Sequence, residues 1–333
     1  MDNYAGLGGW DMAYASREDI GCSYGEVVMT RSLILGQTLG LPAPKGYCVF
    51  MPKYKVCNSP SPWRLRSVTL CRIIRGYGPL GIIRAVKRSN IKRENVDLYG
   101  GRIPIIRVEE IFFKITPKEA IKRIISGEIQ DSERNIQGIL KKIIEDSGLS
   151  IEDFGVTGSY AGGYFHKDSD LDIIVYGSES VKVMYELFVE KYGFKNNPES
   201  VIQRKLLGGV IVKPMISLSW RRGEALSNND KIHVTWIGYD VENTIGLAKI
   251  IEGKPPIKRV SANSIVEAGQ ITALTYPPWI ITRDGRIIVS YEYNVGEVFY
   301  NGGKITVSGL ASEKGEVVYL GLTEYPGEVS IHD

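Results

Sequence analysis

A glycine-serine pair, followed at a fixed distance by two alternating aspartates, constrains the middle of this chain most strongly. Ten residues separate Gly158-Ser159 from Asp170-Leu171-Asp172-Ile173. Because side chains alternate between the two faces of a strand, Asp170 and Asp172 project to the same face of an extended segment. Glycine at the preceding turn lets the backbone approach a ligand closely, and the amides and the Ser159 hydroxyl suit phosphate oxygens.

Two carboxylates on one face predict a site for divalent cations. Hard cations such as Mg²⁺ prefer oxygen ligands and bind through one or two carboxylates together with the phosphates of a substrate. We therefore expect Asp170 and Asp172 to hold Mg²⁺ or Mn²⁺, and Gly158 and Ser159 to hold a nucleoside triphosphate (NTP). Metals in this position activate an attacking oxygen and neutralise charge on the transferred phosphorus.

The sequence around the motif predicts alternating helices and strands. Thr116-Pro117-Lys118-Glu119 combines a Thr N-cap, a Pro at the first helical position and a Glu three residues after the Thr, which predicts a helix to about Ser126. A second helix is expected to follow Asp131-Ser132 and to run to Asp146, with Gly148 as its terminating residue. A third helix is expected over 180–192. Predicted strands cover 154–158, 170–176, 206–212 and 232–237.

On these residues the segment resembles the polymerase beta nucleotidyltransferase superfamily, whose pattern is a Gly-Ser pair, about ten residues, and then acid, apolar, acid, apolar. The resemblance implies that Asp170 and Asp172 are metal ligands and that Ser159 contacts phosphate. Gly163 falls where the family's short helix commonly carries glycine, and Lys167 lies in the loop next to the expected triphosphate. The resemblance covers about a third of the chain, which is also similar to a group of archaeal predicted nucleotidyltransferases.

A third carboxylate, which in the family sits on a later strand, has no clear counterpart. The matching strand is Lys231-Ile232-His233-Val234-Thr235-Trp236, and its central polar positions are His233 and Thr235. Neither is a good Mg²⁺ ligand, but His233 can accept a proton from an attacking hydroxyl. Asp230 and Asp240 flank the strand and are held open as ligands; the alternative for His233 is an ordinary histidine on a half-buried strand.

The charge of the chain is uneven, although its net value is only +3. No acidic residue occurs from Lys45 to Arg93, a stretch with twelve lysines and arginines and several interleaved aromatics, among them Tyr54 and Trp63. Such a mixture suits a nucleic-acid backbone and unpaired bases, so nucleic acid is a candidate partner. The alternative is an ordinary basic surface around a core that needs aromatic residues.

The fold class predicted is α+β, in three units. A basic N-terminal α+β unit over 1–115 and a small all-β unit over 259–333 flank a nucleotidyltransferase core over 116–252, a mixed sheet with helices. Gly253-Lys254-Pro255-Pro256 predicts a linker or sharp turn, and Asp284-Gly285 and Asn301-Gly302 predict hairpin turns between the C-terminal strands.

The cysteines and the N-terminus predict a cytoplasmic protein. Cys22, Cys48, Cys57 and Cys71 have neither CxxC spacing nor a nearby histidine, so we expect buried free thiols rather than a metal site or disulfides. Residues 1–10 lack a basic segment followed by an apolar run, so no secretory signal is expected, and no stretch approaches a membrane-spanning length.

Three functions remain in competition at this stage. The first is metal-dependent transfer of a nucleoside monophosphate from an NTP to a hydroxyl acceptor. The second is a catalytically silent protein that binds nucleotides or nucleic acid with the same core. The third, ranked lower because of the flanking units, is transfer of AMP to protein side chains, as in small members of the superfamily. The acceptor and the oligomeric state are left open.

Overall fold

The computed structural model describes residues 22–76, 78–96, 101–127, 133–192, 209–213, 222–227, 230–322 and 325–332, with backbone only for 222–227, 230 and 231. These residues form a mixed α+β structure, and the predicted fold class is correct at that level. The helices of the described part are α1 (Pro79–Ser89), α2 (Pro117–Ser126), α3 (Arg134–Ser147), α4 (Gly158–Gly162), α5 (Ser178–Leu187), α6 (Val241–Ile251) and α7 (Gly296–Asn301).

The N-terminal part is an eight-stranded sheet that carries one helix on its outer face. Its strands are β1 (Tyr24–Thr30), β2 (Ile34–Leu39), β3 (Tyr47–Val56), β4 (Arg64–Leu65), β5 (Val68–Arg72), β6 (Arg93–Val96), β7 (Gly101–Arg107) and β8 (Ile111–Ile115). The strand order is β4-β5-β3-β2-β1-β8, with β7 also paired to β3 and β6 paired to β7. Helix α1 starts at Pro79 and ends at Asn90, which adopts the left-handed conformation.

The cysteine prediction was wrong, because the structure pairs all four cysteines in disulfides. Cys22 bonds Cys48 with 5.5 Å between their Cα atoms, and Cys57 bonds Cys71 with 5.8 Å. The second pair is adjacent because β3 and β5 run antiparallel, with Lys55 opposite Cys71. Spacing along the chain does not reveal such pairing, which is why the bonds were missed. Disulfides are unusual in the cytosol outside hyperthermophiles, and the cytoplasmic location stays a prediction.

The central part is a four-stranded sheet of order β12-β13-β10-β9 with helices on one face. Its strands are β9 (Phe154–Thr157), β10 (Leu171–Tyr176), β12 (Arg222–Ser227) and β13 (Asp230–Tyr239). Strands β10 and β13 are parallel, whereas the pairs β9–β10 and β12–β13 are antiparallel. The predicted strands 154–158, 170–176 and 232–237 correspond to β9, β10 and β13; the start of the 206–212 prediction lies outside the described residues.

Helices α2, α3 and α5 cover one face of the central sheet because each has a single apolar stripe. Buried residues from both layers form one core, which includes Ile121, Ile124, Ile136, Leu140, Ile143, Val156, Leu171, Ile173, Val181, Met184 and Trp236. The predicted cap of α2 is confirmed: Thr116 Oγ1 accepts from the Glu119 amide, and Glu119 Oε2 accepts from the Thr116 amide at 2.8 Å. Gly148 ends α3 in the left-handed conformation, as expected.

The opposite face of the central sheet packs against the N-terminal sheet and the C-terminal part. The Tyr24 ring stacks on Tyr239 at 5.4 Å and lies 5.1 Å from the Tyr276 ring. The Tyr239 hydroxyl donates to the Gly40 carbonyl at 3.0 Å. These contacts cover the carboxyl end of β10 and leave its amino end, where the aspartates lie, at the edge of the covered area.

The C-terminal part is a seven-stranded sheet, but it is not all β as expected. Its strands are β11 (Ile211–Lys213), β14 (Lys258–Val266), β15 (Trp279–Ile281), β16 (Ile287–Ser290), β17 (Gly303–Ala311), β18 (Val317–Leu320) and β19 (Glu328–His332). Helix α7 precedes β17, so Asn301-Gly302 closes a helix instead of the predicted hairpin, whereas Asp284-Gly285 does connect β15 to β16. Phe299 on α7 is fully buried, and this apolar anchor allows a helix where turn residues suggested a hairpin.

No helix among the described residues is both long and apolar enough to cross a membrane.

Glu297 on α7 gives a stability prediction that depends on pH. Its side chain is 5% exposed, and Oε2 has no hydrogen-bond partner among the described residues. Burial raises the pKa of Glu297 to about 7 from an ordinary 4.5. As pH rises from about 4.5 to 7, the Glu297 carboxyl ionises in the unfolded chain before it does so in the folded one. The folded state therefore loses stability over this range. The free energy of unfolding of Glu297→Gln should therefore exceed that of wild type by about 2–3 kcal/mol at pH 8 and by little at pH 4.5.

Thermal unfolding of both proteins across this pH range measures the effect, and Glu313→Gln at an exposed position is the control. An equal difference between Glu297→Gln and wild type at every pH would contradict the assignment.

Candidate active site

The glycine-serine turn and the two aspartates meet at the amino end of β10. Thr157 ends β9, Gly158 and Ser159 open α4, and the Cα of Asp172 lies opposite that of Thr157 in the antiparallel ladder. Gly158 has a φ of +68°, and a Cβ at this position would meet the Asp172 carboxylate, with the carboxyl carbon only 3.3 Å away. Only a residue without a side chain lets the carboxylate lie against this turn.

Asp170 and Asp172 flank Leu171 at the start of β10. Leu171 between them is fully buried on the helix-covered face, whereas both aspartates are half-buried. Asp170 immediately precedes β10 and follows a tight turn in which the Ser169 amide donates to the His166 carbonyl at 2.9 Å. The Asp172 carboxylate thus lies against the Gly158 turn, and a shared face for Asp170 stays a prediction.

Tyr160 on α4 lies close to Asp170. Burial, together with the negative charges of Asp170 and then Glu133, raises the pKa of the Tyr160 phenol to about 12. Its ring stacks on Phe165 at 4.5 Å, and its carbonyl accepts from Arg123 at 3.0 Å. Arg123 is paired in turn with Glu133, which is 2% exposed. A neutral phenol thus lies beside Asp170 and adds no charge that would compete with a cation there.

Gly163 and Lys167, the two other predicted nucleotide contacts, lie in the chain between Ser159 and Asp170. Gly163 ends α4 with a φ of +69°, and nothing lies within 4 Å of where its Cβ would be. Lys167 is exposed in the loop between α4 and β10. The backbone requirement explains Gly163 without a nucleotide contact, and both nucleotide-binding roles stay predictions.

Thr235 and His233 occupy the strand next to the aspartates. Thr235 pairs with Asp172 in the parallel ladder and is 7% exposed. Continuing this register by two residues places His233, which is exposed, beside Asp170. His233 therefore lies on the face that carries the carboxylates, in keeping with its predicted neighbourhood, and Thr235 occupies the position next to Asp172.

Asp240 does not belong to this site. Its Oδ1 accepts from the amides of Glu242 and Asn243 and caps α6, while its Oδ2 accepts from the Ser178 amide and hydroxyl. It also follows the far end of β13, about 23 Å along the strand from the level of Asp170 at 3.3 Å per residue. The side chain of Asp230 lies outside the described residues. The idea that Asp240 reaches the site was therefore wrong, because a capping role already occupies its carboxylate.

Sequence reasoning missed two neighbours of the site. Gln37 on β2 is 7% exposed, and its amide donates at 2.7 Å to the Thr157 hydroxyl, which in turn donates to the Gly25 carbonyl. A contact across 120 positions of sequence leaves no local signal. The Cα of Glu224 on β12 lies opposite that of His233. A prediction of β12 and β13 as a hairpin would have placed Glu224 beside His233.

A short sheet in the central unit brings a glycine-serine turn to the Asp172 carboxylate. Consistent with this, residues 136–216 match the family model of a nucleotidyltransferase domain, of the polymerase beta-like superfamily, which confirms the predicted resemblance. The match covers about a quarter of the chain and includes the turn and both aspartates, but it ends before His233. No curated protein and no solved structure matched the chain.

Two glycines with the same backbone conformation allow the turn to be tested. Gly158→Ala and the control Gly148→Ala, at the end of α3, both force alanine into the left-handed region, which costs about 1–2 kcal/mol each. Only Gly158→Ala also displaces the Asp172 carboxylate. We expect both variants to lose stability in thermal unfolding, and only Gly158→Ala to lose the stabilisation that NTP plus Mn²⁺ gives the wild type. Equal responses of the two variants to ligand would contradict the contact with Asp172.

Proposed function

We propose that this protein transfers a nucleoside monophosphate from an NTP to a hydroxyl acceptor with the help of Mg²⁺ or Mn²⁺. The nucleotidyltransferase domain supports nucleotidyl transfer in general. The observation that carries the proposal is the placement of the Asp172 carboxylate against the side-chain-free Gly158, in front of the Ser159 turn. A carboxylate against a glycine-serine turn, with a second acid two residues earlier in the chain, suits a reaction at phosphorus.

The donor set fits a divalent cation that is shared with the substrate. Among the described residues no group of three His, Cys, Asp or Glu side chains forms a complete protein cage. The half-buried pair Asp170 and Asp172 matches the mode in which Mg²⁺ uses one or two carboxylates and takes its other ligands from phosphates and water. A cation held by these two carboxylates would neutralise charge that develops on the transferred phosphoryl group and on the departing pyrophosphate.

The residues of the chain then have separate roles. The Ser159 hydroxyl and the backbone at Gly158 hold the triphosphate, with Gly163 and Lys167 as further candidates. The acceptor oxygen forms a bond to the α-phosphorus, the bond from that phosphorus to the bridging oxygen breaks, and pyrophosphate leaves. His233, on the same face beside Asp170, accepts the proton of the acceptor hydroxyl.

A silent core that only binds nucleotides or nucleic acid is the alternative, because Thr235 stands beside Asp172 where the family resemblance leads one to expect a third acid. Loss of transfer under every condition, with nucleotide binding unchanged in Asp170 variants, would establish that alternative instead.

Replacement of the metal-binding pair gives the direct test. Asp170→Asn and Asp172→Asn should each lower transfer of α-labelled nucleotide by about 10³-fold or more, because a lost charge interaction in such a site is worth about 3–4 kcal/mol or more. Asp168→Asn, two residues earlier and 75% exposed, is the matched control and should stay near wild type. Labelled NTPs with each base, incubated with Mg²⁺ or Mn²⁺, provide the measurement. Equal rates for all three variants would refute the proposal.

His233→Gln tests the proposed base separately from metal binding. Removal of a general base typically costs about 10²–10⁴ in the chemical step. We expect kcat to fall in this range while the affinity for NTP with Mn²⁺, measured by calorimetry, is unchanged. A variant with wild-type kcat would assign His233 the role of an ordinary surface histidine on β13.

A further inference from the structure

The basic residues of the acid-free stretch from Lys45 to Arg93 form two groups, which lie on different parts of the N-terminal sheet. Helix α1 packs on the outer face of the sheet, where Phe50, Ile74 and Ala85 belong to one cluster. Tyr54 and Leu70 belong instead to the core that the sheet shares with the central unit. The exposed basic residues of α1, which include Arg84 and Lys87, are therefore on the far side from the aspartates.

The second group lies on the segment from Lys55 to Arg72, which we call the basic hairpin and which contains β4 and β5. The Cys57–Cys71 disulfide closes its base, and the pairing of β5 with the end of β3 joins it to the sheet. Its basic side chains Lys55, Arg64, Arg66 and Arg72 are all exposed. Without an acidic residue in the hairpin, this edge of the protein has a locally positive surface.

Aromatic rings join the basic hairpin to the catalytic loop, defined as residues 163–170. The Trp63 ring meets the His166 ring edge to face at 5.3 Å, and Tyr54 bridges Trp63 and Tyr164 at 5.5 and 5.2 Å. The guanidinium carbon of Arg72 lies 5.7 Å from the centre of the Trp63 ring. Tyr54 and Tyr164 are buried, whereas Trp63 and His166 are only half-buried and present ring surface to the outside.

The distance from these rings to the aspartates is short. Four residue steps separate His166 from Asp170, which limits their Cα atoms to about 14 Å even in a fully extended chain. The hydrogen bond from the Ser169 amide to the His166 carbonyl folds this segment into a turn and shortens the span. A strand lying on Trp63 and His166 can therefore place its end at the Asp170 and Asp172 pair.

We propose that the basic hairpin and the half-buried Trp63–His166 ring pair bind single-stranded nucleic acid, whose terminal hydroxyl is the acceptor of the reaction. This inference rests on the proposed function for the identity of the acceptor. Exposed arginines neutralise the phosphodiester backbone, and aromatic faces stack with bases irrespective of sequence. A purely electrostatic partner would need the arginines but not ring surface beside the active site.

The test compares two matched pairs of basic residues on opposite faces of the sheet. Arg64→Gln/Arg66→Gln alters the hairpin, and Arg84→Gln/Lys87→Gln alters α1. Fluorescence anisotropy with labelled RNA and DNA 12-mers measures affinity from 50 to 300 mM salt. Loss of two phosphate contacts should weaken binding about tenfold and reduce the slope of log K against log salt by about 1.4, since each contact on a single strand contributes about 0.7. The α1 variant should retain wild-type affinity and slope.

The RNA and DNA arms identify which strand is preferred, and hairpin-dependent binding of either one supports the proposal. No binding of either oligonucleotide, or an equal loss in the α1 variant, would overturn it. Heparin bound as tightly as the oligonucleotides, with the same dependence on Arg64 and Arg66, would overturn it in favour of a general polyanion surface.

The binding assay contains no NTP, so its outcome is separate from that of the transfer assay. Nucleotidyl transfer to another acceptor without oligonucleotide binding would overturn the inference and leave the proposed function intact. Hairpin-dependent oligonucleotide binding without transfer would support the binding surface. It would overturn the proposed function, and with it the role of the terminal hydroxyl as acceptor.

Discussion

The contact between the Asp172 carboxylate and the backbone of Gly158 is the constraint on which the rest of the site depends. It requires a left-handed residue without a side chain at the end of β9, and it fixes how closely the turn and the acidic strand approach each other. Pairing of Asp172 with Thr157 on one side and Thr235 on the other then sets the rotation of β10. Asp170 immediately precedes β10, two residues before Asp172.

The N-terminal sheet also belongs to the structural support of this site. Gln37 and Gly25 both contact the Thr157 hydroxyl, so the N-terminal sheet fixes the residue that precedes the Gly158-Ser159 turn. A Cβ on Gly25, whose φ is +78°, would collide with Ile174 of β10. The Ile174 side chain therefore packs directly on the backbone of β1, and the aromatic contact of Trp63 with His166 extends the same interface to residues 163–170.

Local signals in the sequence predicted the central unit well. Features that depend on pairing between distant strands were not predicted. The capping box at Thr116, the glycine after α3 and the alternation around Leu171 each determine structure within a few residues, and all three appear as expected. The disulfides, the support of Thr157 by Gln37 and the register of Glu224 with His233 depend on which strands become neighbours. Helix α7 was missed because burial of Phe299 outweighed the turn preference of Asn301-Gly302.

Crystallography of the protein with Mn²⁺ and a non-hydrolysable NTP analogue tests the central claim most directly. The account requires an anomalous manganese peak at about 2.1 Å from carboxylate oxygens of both Asp170 and Asp172, with the triphosphate against the Gly158-Ser159 turn. Metal bound elsewhere, or a triphosphate remote from this turn while both aspartates stay without metal, would contradict it.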